Sequence, residues 1–197
     1  MARKSAGVSS ASVQNFVIDA GACYVNLGEL DERLLGATRG GNSFEIEQDI
    51  KLIEIDGVRG ASMGARRVVE SNARIVANLL EITTANLLLA IAGSDATTWK
   101  DDSIEPPPTG DSHDKIQRTR NISDLDFIKN IAIVGRVSGS EENIICMIYN
   151  ALSDEGFSLG LEDREEGVLE VTFTAHYSLD DVDTEPWAIM FPKAVIV

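Results

Sequence analysis

Few residues in this chain could do chemistry. It has two histidines and two cysteines in 197 residues. His113 lies beside Asp111 and Asp114, and solvated loop polarity accounts for that grouping better than a metal site. His176 sits among threonines with no nucleophile pattern nearby, so it reads as a surface or interface residue rather than a general base. Gly36, Gly40 and Gly41 precede a strand-like run, and the TRGGNS segment lacks the lysine of a phosphate-binding loop. Glu162, Asp163, Glu165 and Glu166 lack EF-hand spacing and read as a charged hairpin turn. Paired carboxylates for glycoside chemistry call for an aromatic-rich cleft, and only 6% of residues are aromatic. No CxxC or Cys/His cluster occurs, so Cys23 and Cys146 read as reduced, buried small hydrophobes. The expectation is a protein that is not an enzyme, with no catalytic, cofactor-binding or metal-binding residues.

Charge narrows the classes further. The net charge is −15, and a protein that grips nucleic acid needs a basic patch. The charge is also uneven. Gly139–Val197 carries 13 acidic and 2 basic residues, whereas Met1–Ile75 carries 10 and 9. Two readings are open: acid that keeps the protein soluble, or complementary surfaces in a self-assembly. The hydrophobic content of 44% is enough for a real core. No apolar run approaches the roughly 20 residues of a membrane span, and the basic N-terminus lacks the apolar stretch of a signal peptide.

The elements that must position these residues are mostly strands. Residues 1–14 are small, polar and basic, and read as a flexible arm. Phe16–Leu27 reads as strand broken at Ala20-Gly21. Asn42–Ile55 alternates, with Phe44, Ile46, Gln48, Ile50 and Leu52 on one face and Glu45, Glu47, Asp49 and Lys51 on the other. It is long enough to run past the edge of its sheet. Residues 56–72 form an expected extended loop with three glycines and the bases Arg59, Arg66 and Arg67. Ala73–Ile82 is a second long strand. Thr84 fits an N-cap for a helix over about 84–92, ended by Gly93. Residues 94–113 read as a surface loop stiffened by Pro106, Pro107 and Pro108. Asp114–Asn121, Ile128–Val137, Asn143–Leu152, Phe157–Leu161 and Val168–Tyr177 read as strands. In the last, Glu170, Thr172, Thr174 and His176 share the polar face. The expected fold is mainly β: a single domain over 15–197, an antiparallel β-sandwich or barrel-like pair of sheets with one flanking α-helix.

Four stretches, taken in order, resemble the major tail tube proteins of long-tailed bacteriophages. They are VIDAGACYVNLGE (Val17–Glu29), LLGATRGGNSFEIEQDIKLIEIDGVRG (Leu34–Gly60), DFIKNIAIVG (Asp126–Gly135) and LEVTFTAHYSLDDVDTEPW (Leu169–Trp187). The resemblance spans nearly the whole chain apart from the first dozen residues and the Pro-rich loop. It implies a structural virion protein with the phage tail tube fold. Subunits form hexameric rings that stack into the tail tube, a conduit for DNA ejection. Implied partners are further copies of the chain, a tape measure protein in the lumen, tail terminator and distal tail or baseplate proteins, and double-stranded DNA in transit without tight binding. Implied localisation is the virion, after assembly in the host bacterial cytoplasm. Other tubes of the same superfamily (contractile-tail, bacteriocin or distal tail proteins) and a monomeric binding module are the alternatives.

Within that role, Asp56, Arg59, Met63, Arg66 and Arg67 are the expected inter-ring or inter-subunit contacts. A hairpin loop touching only its own subunit is the competing reading. Glu45, Glu47, Asp49 and Glu170 are candidates to face the lumen, though each could equally lie on the outer surface.

Overall fold

Alternating apolar and polar residues build two antiparallel sheets, and their apolar faces meet. The computed structural model describes residues 7, 12–101, 103, 113–161 and 163–193. Most of the expected N-terminal arm, the prolines Pro106–Pro108, Asp111 and Glu162 lie outside the described residues. In chain order the strands are β1 (Ala22–Val25), β2 (Arg33–Leu34), β3 (Ser43–Leu52), β4 (Arg66–Leu79), β5 (Ser94–Trp99), β6 (His113–Arg118), β7 (Ile128–Arg136), β8 (Asn143–Ala151), β9 (Phe157–Gly160), β10 (Val168–Thr174) and β11 (Trp187–Met190). One α-helix, α1 (Thr84–Ala90), lies between β4 and β5. The sheets are ordered β11-β8-β7-β1-β2 and β3-β4-β10-β9, with β5-β6 as a separate hairpin. The architecture is therefore mainly β and antiparallel, as the alternation predicts.

The core lies between the two larger sheets. Ala73, Ile75, Ala77 and Leu79 of β4 and Leu169, Val171 and Phe173 of β10 face Cys23 and Val25 of β1, Ile131 of β7 and Ile148 of β8. Every second residue of β4 from Ser71 to Leu79 is buried, which is the period of a half-buried strand. Fully burying each large apolar side chain contributes about 1.5–3 kcal/mol. Two isolated bridges, Thr38 with Leu79 and Leu152 with Thr174, tie the sheets together at their flanks and give a barrel-like closure. Cys23 and Cys146 both oppose Ile133 from opposite sides, so two strand spacings, about 10 Å, separate them. That exceeds the reach of a disulfide, and both cysteines are free. Burial pushes the Cys23 thiol up to about 12.

Several boundaries differ from the sequence reading. The expected loop over 56–72 is shorter, because β4 begins at Arg66, so Arg66 and Arg67 are strand residues. Residues 94–99 and His113 are not loop: they belong to the β5-β6 hairpin, whose residues are mostly polar and none of which is buried. At the N-terminus, Ser12–Asn15 forms a 3-10 turn, and residues 14–18 run antiparallel to 136–139 through Ile18 N–H to Arg136 C=O and Gly139 N–H to Gln14 C=O. The Gly139 hydrogen fills the only space there, since a Cβ would meet Gln14 at 2.5 Å.

The helix is capped by Thr83, not Thr84. The Thr83 hydroxyl accepts from Asn86 N–H. The Thr84 hydroxyl instead donates to Asp114 at 2.7 Å. The helix buries Asn86 and Ala90 and packs Leu87 and Leu89 against the core. Asn86 is fully used: its amide donates to Leu35 C=O and Glu81 C=O and accepts from Arg33. A buried amide so satisfied escapes the desolvation cost of an unpaired one.

Candidate assembly surfaces

Register places all four acidic candidates on one face of the β3-β4-β10-β9 sheet. Glu45, Glu47 and Asp49 oppose Arg74, Asn72 and Glu70 of β4. Arg74 opposes Thr174 of β10, and Asn78 opposes Glu170. In an antiparallel pair directly opposed residues share a face, so this row runs across three strands. Lys51 and Arg67 continue the same face toward the loop.

Arg74 organises the middle of that face, and the sequence reading did not single it out. Its guanidinium meets Glu47 at 2.5 Å, Glu45 at 3.4 Å and Glu155 at 3.8 Å. A cleft of about 370 Å³ opens beside it, lined in part by Glu47, Asp154, Glu155, Thr174 and His176. Its carboxylates are engaged, because Glu47 and Glu155 pair with Arg74 and Asp154 accepts from the Thr174 hydroxyl. His176 has its Nδ1 within 3.2 Å of the Asn150 and Thr174 carbonyl oxygens and its ring edge-on to Phe127. The imidazole is held as a packing and hydrogen-bonding group. His113 stacks edge-on against Trp99 across the β5-β6 hairpin. Among the described residues no group of three or more His, Cys, Asp or Glu side chains could hold a metal ion, and no helix is long and apolar enough to cross a membrane.

The second surface is the arm formed by the distal halves of β3 and β4 and the segment 53–65 between them. Beyond Ser71 the hairpin leaves the sandwich. Asp49 opposes Glu70 and Ile50 opposes Val68, so Val69 is an extra residue, a β-bulge. Ile50, Leu52 and Val68 continue the core-facing side of the hairpin yet are exposed. Ile53, Ile55, Val58 and Met63 are exposed in the connecting segment, Met63 completely. Asp56, Arg59 and Met63 thus lie in the loop as expected. Arg66 opposes Leu52 on the apolar side, and Arg67 opposes Lys51 on the polar side. None of the ion pairs among the described residues involves Lys51, Arg59, Arg66 or Arg67. Some basic residues elsewhere are bridged, as Arg39 is to Glu165 and Glu166 and Arg120 is to Asp126. The two hydrogen bonds from Arg120, with the Ser123 N–H behind them, hold the Asp126 carboxyl well below the usual carboxylate range.

The third surface is a pair of strand edges. β3 and β9 are the outer strands of the four-stranded sheet. All of β9 is exposed, including Phe157 and Leu159. An exposed strand edge is a row of hydrogen-bonding groups awaiting a partner strand. The chain matches no protein-family model, and no curated protein matches it.

Proposed function

We propose that the protein is a self-assembling structural subunit of a phage tail tube, stacked in hexameric rings around a lumen through which DNA passes. The observation that carries this reading is the β3-β4-β10-β9 sheet. It has two unpaired edges, one buried apolar face and one polar, acid-bearing face. Six such sheets joined edge to edge, β9 of one copy beside β3 of the next, close into a barrel without free edges. The apolar faces then look outward into each subunit's own core, and the polar faces line the lumen.

The charge on that face suits the cargo. DNA carries one negative charge per roughly 1.7 Å of axis. A lining of Glu45, Glu47, Asp49, Glu70 and Glu170 repels it over a Debye length of about 8 Å at physiological salt. Arg74 and the Lys51–Arg67 pair moderate the field without forming an uninterrupted basic track. The arm supplies the contact between neighbours, since its apolar residues have no partner within the subunit. In this reading the lumen holds a tape measure protein before DNA enters, and the tube ends meet tail terminator and distal tail or baseplate proteins in the virion.

Electron microscopy of the purified protein over a concentration series tests the proposal. Rings or stacked tubes are the expected outcome. A chain that stays monomeric at high concentration overturns it and favours a monomeric binding module.

A further inference from the structure

We infer that the cleft between the 3-10 turn at Asp124–Asp126 and the turn at 178–181 is a binding site for a primary alkylammonium group, the head of a small diamine or of a lysine side chain. This goes beyond the tube reading and does not depend on it.

The cleft forms where the two sheets are sewn together. At Asn150, whose φ of 47° lies in the left-handed region, β8 exchanges one neighbour for another. Up to Tyr149 it follows β11, and at Leu152 it bridges Thr174 of β10. His176 N–H donates to Tyr149 C=O across the same seam. The space beside it is about 380 Å³, with Asp124, Phe127, Asn150, His176, Tyr177 and Asp180 in its wall. That volume falls in the range of small-molecule pockets.

The wall presents charge of one sign and side-chain acceptors. Asn150 Nδ2 is spent on His176 C=O, and the Tyr177 hydroxyl donates to Glu185. His176 Nδ1 faces the carbonyl oxygens of Thr174 at 3.0 Å and Asn150 at 3.2 Å. Both are acceptors, so Nδ1 carries the hydrogen and Nε2 keeps its lone pair. Asp124 and Asp180 enter none of the ion pairs among the described residues. The bases on neighbouring elements are already engaged: Arg120 with Asp126, Lys129 with Glu29 and Arg74 with Glu47. The Arg120–Asp126 pair closes the turn that carries Asp124, and Asp180 N–H donates to Ser178 Oγ in the other turn. Phe127 lies edge-on to His176 and, with Tyr177, adds aromatic surface. Carboxylates beside aromatic rings stabilise an ammonium through charge and the ring quadrupole, and the apolar surface takes its alkyl stem. An anion would meet two carboxylates with no base left to answer it.

Proton–carbon NMR of the histidine rings tests this in unassembled subunits. The chain has two histidines, and His113 on the β5-β6 hairpin is the internal control. Diaminobutane or Nα-acetyl-lysine methylamide should move the His176 Cε1–H signal saturably and leave His113 in place. Sodium chloride at matched ionic strength should move neither. Whichever probe binds more tightly tells a free diamine from a lysine side chain. Asp124→Asn/Asp180→Asn should weaken the tighter probe by about tenfold or more. Asp180→Asn alone, in an exposed turn, should weaken it roughly threefold and keeps the test open if the double variant misfolds. A saturable shift lost in these variants supports the site. No saturable shift with either probe, a shift that salt reproduces, or a folded variant that binds like the unaltered chain overturns it. A chain that binds the probes yet forms no tubes leaves this site standing while the tube reading falls.

Discussion

β4 is two strands in one. From Ser71 to Leu79 it alternates buried and exposed residues against the opposing sheet. From Arg66 to Glu70 it keeps its hydrogen-bonded partner β3 but is exposed on both faces. β3 pairs along both halves, but only Arg74–Leu79 is also paired with β10, and only the proximal half has a layer above it. Valines and isoleucines that would be core in the first half are unspent surface in the second. Apolar residues therefore have two distinct uses here, and side-chain chemistry alone does not separate them.

The strongest way to break this contrast is to cut into each half. Phe173→Ala empties a fully buried site that packs on the proximal half of β4. It should lower unfolding free energy by about 3–5 kcal/mol, read from urea denaturation. Ile55→Ser/Val58→Ser in the arm should change monomer stability by only about 0.5 kcal/mol per site, while raising the concentration needed for assembly. Comparable losses from both would mean that the arm belongs to the folding unit. Next in size is Asn86→Ala, which strands the Leu35 and Glu81 carbonyls and the Arg33 guanidinium. A loss of about 1–3 kcal/mol is expected, again without an effect specific to assembly.

A smaller, pH-dependent effect sharpens the body side of the comparison. Asp126 has a folded-state pKa depressed by Arg120 and Ser123. Its contribution is therefore present above the unfolded carboxylate value of about 3.9 and is lost as pH falls through the lower folded value. Melting temperatures of the unaltered protein and Asp126→Asn should differ at pH 6. The gap should shrink once pH drops below about 4. A gap that persists unchanged in acid would assign the effect to packing.

Much of the body is legible from sequence because alternation is strong there. Ser43–Leu52 and Val168–Thr174 show a period of two, and the strands read over Ile128–Val137 and Asn143–Leu152 are the paired β7 and β8. The arm's second strand is not legible for a physical reason. Arg66-Arg67-Val68-Val69-Glu70 has no alternation, since neither face is buried and Val69 is a bulge. The same lack of a buried face hides β5 in a stretch read as loop, whereas most of β6 falls within the expected strand Asp114–Asn121. At the helix start two adjacent threonines compete, and only geometry separates Thr83 from Thr84. Of the candidate surface, the spacing of Glu45, Glu47 and Asp49 shows that they share a face. That Arg74 sits among them depends on the register of β3 on β4, and that Glu170 joins them depends on pairing between strands roughly ninety residues apart in sequence.

The bulge at Val69 also marks a boundary in time. Proteins open in contiguous cooperative units, and a segment with few buried contacts opens at low free energy. The amides of Ile50, Leu52, Arg66 and Val68 sit beyond the bulge, in a hairpin without a covering layer. In the free subunit their hydrogens should exchange with deuterium through local fraying, within minutes. Those of Ala73–Leu79 should wait for the whole domain to unfold. Assembly would then slow the first group and leave the second nearly unchanged, so that one strand keeps two clocks.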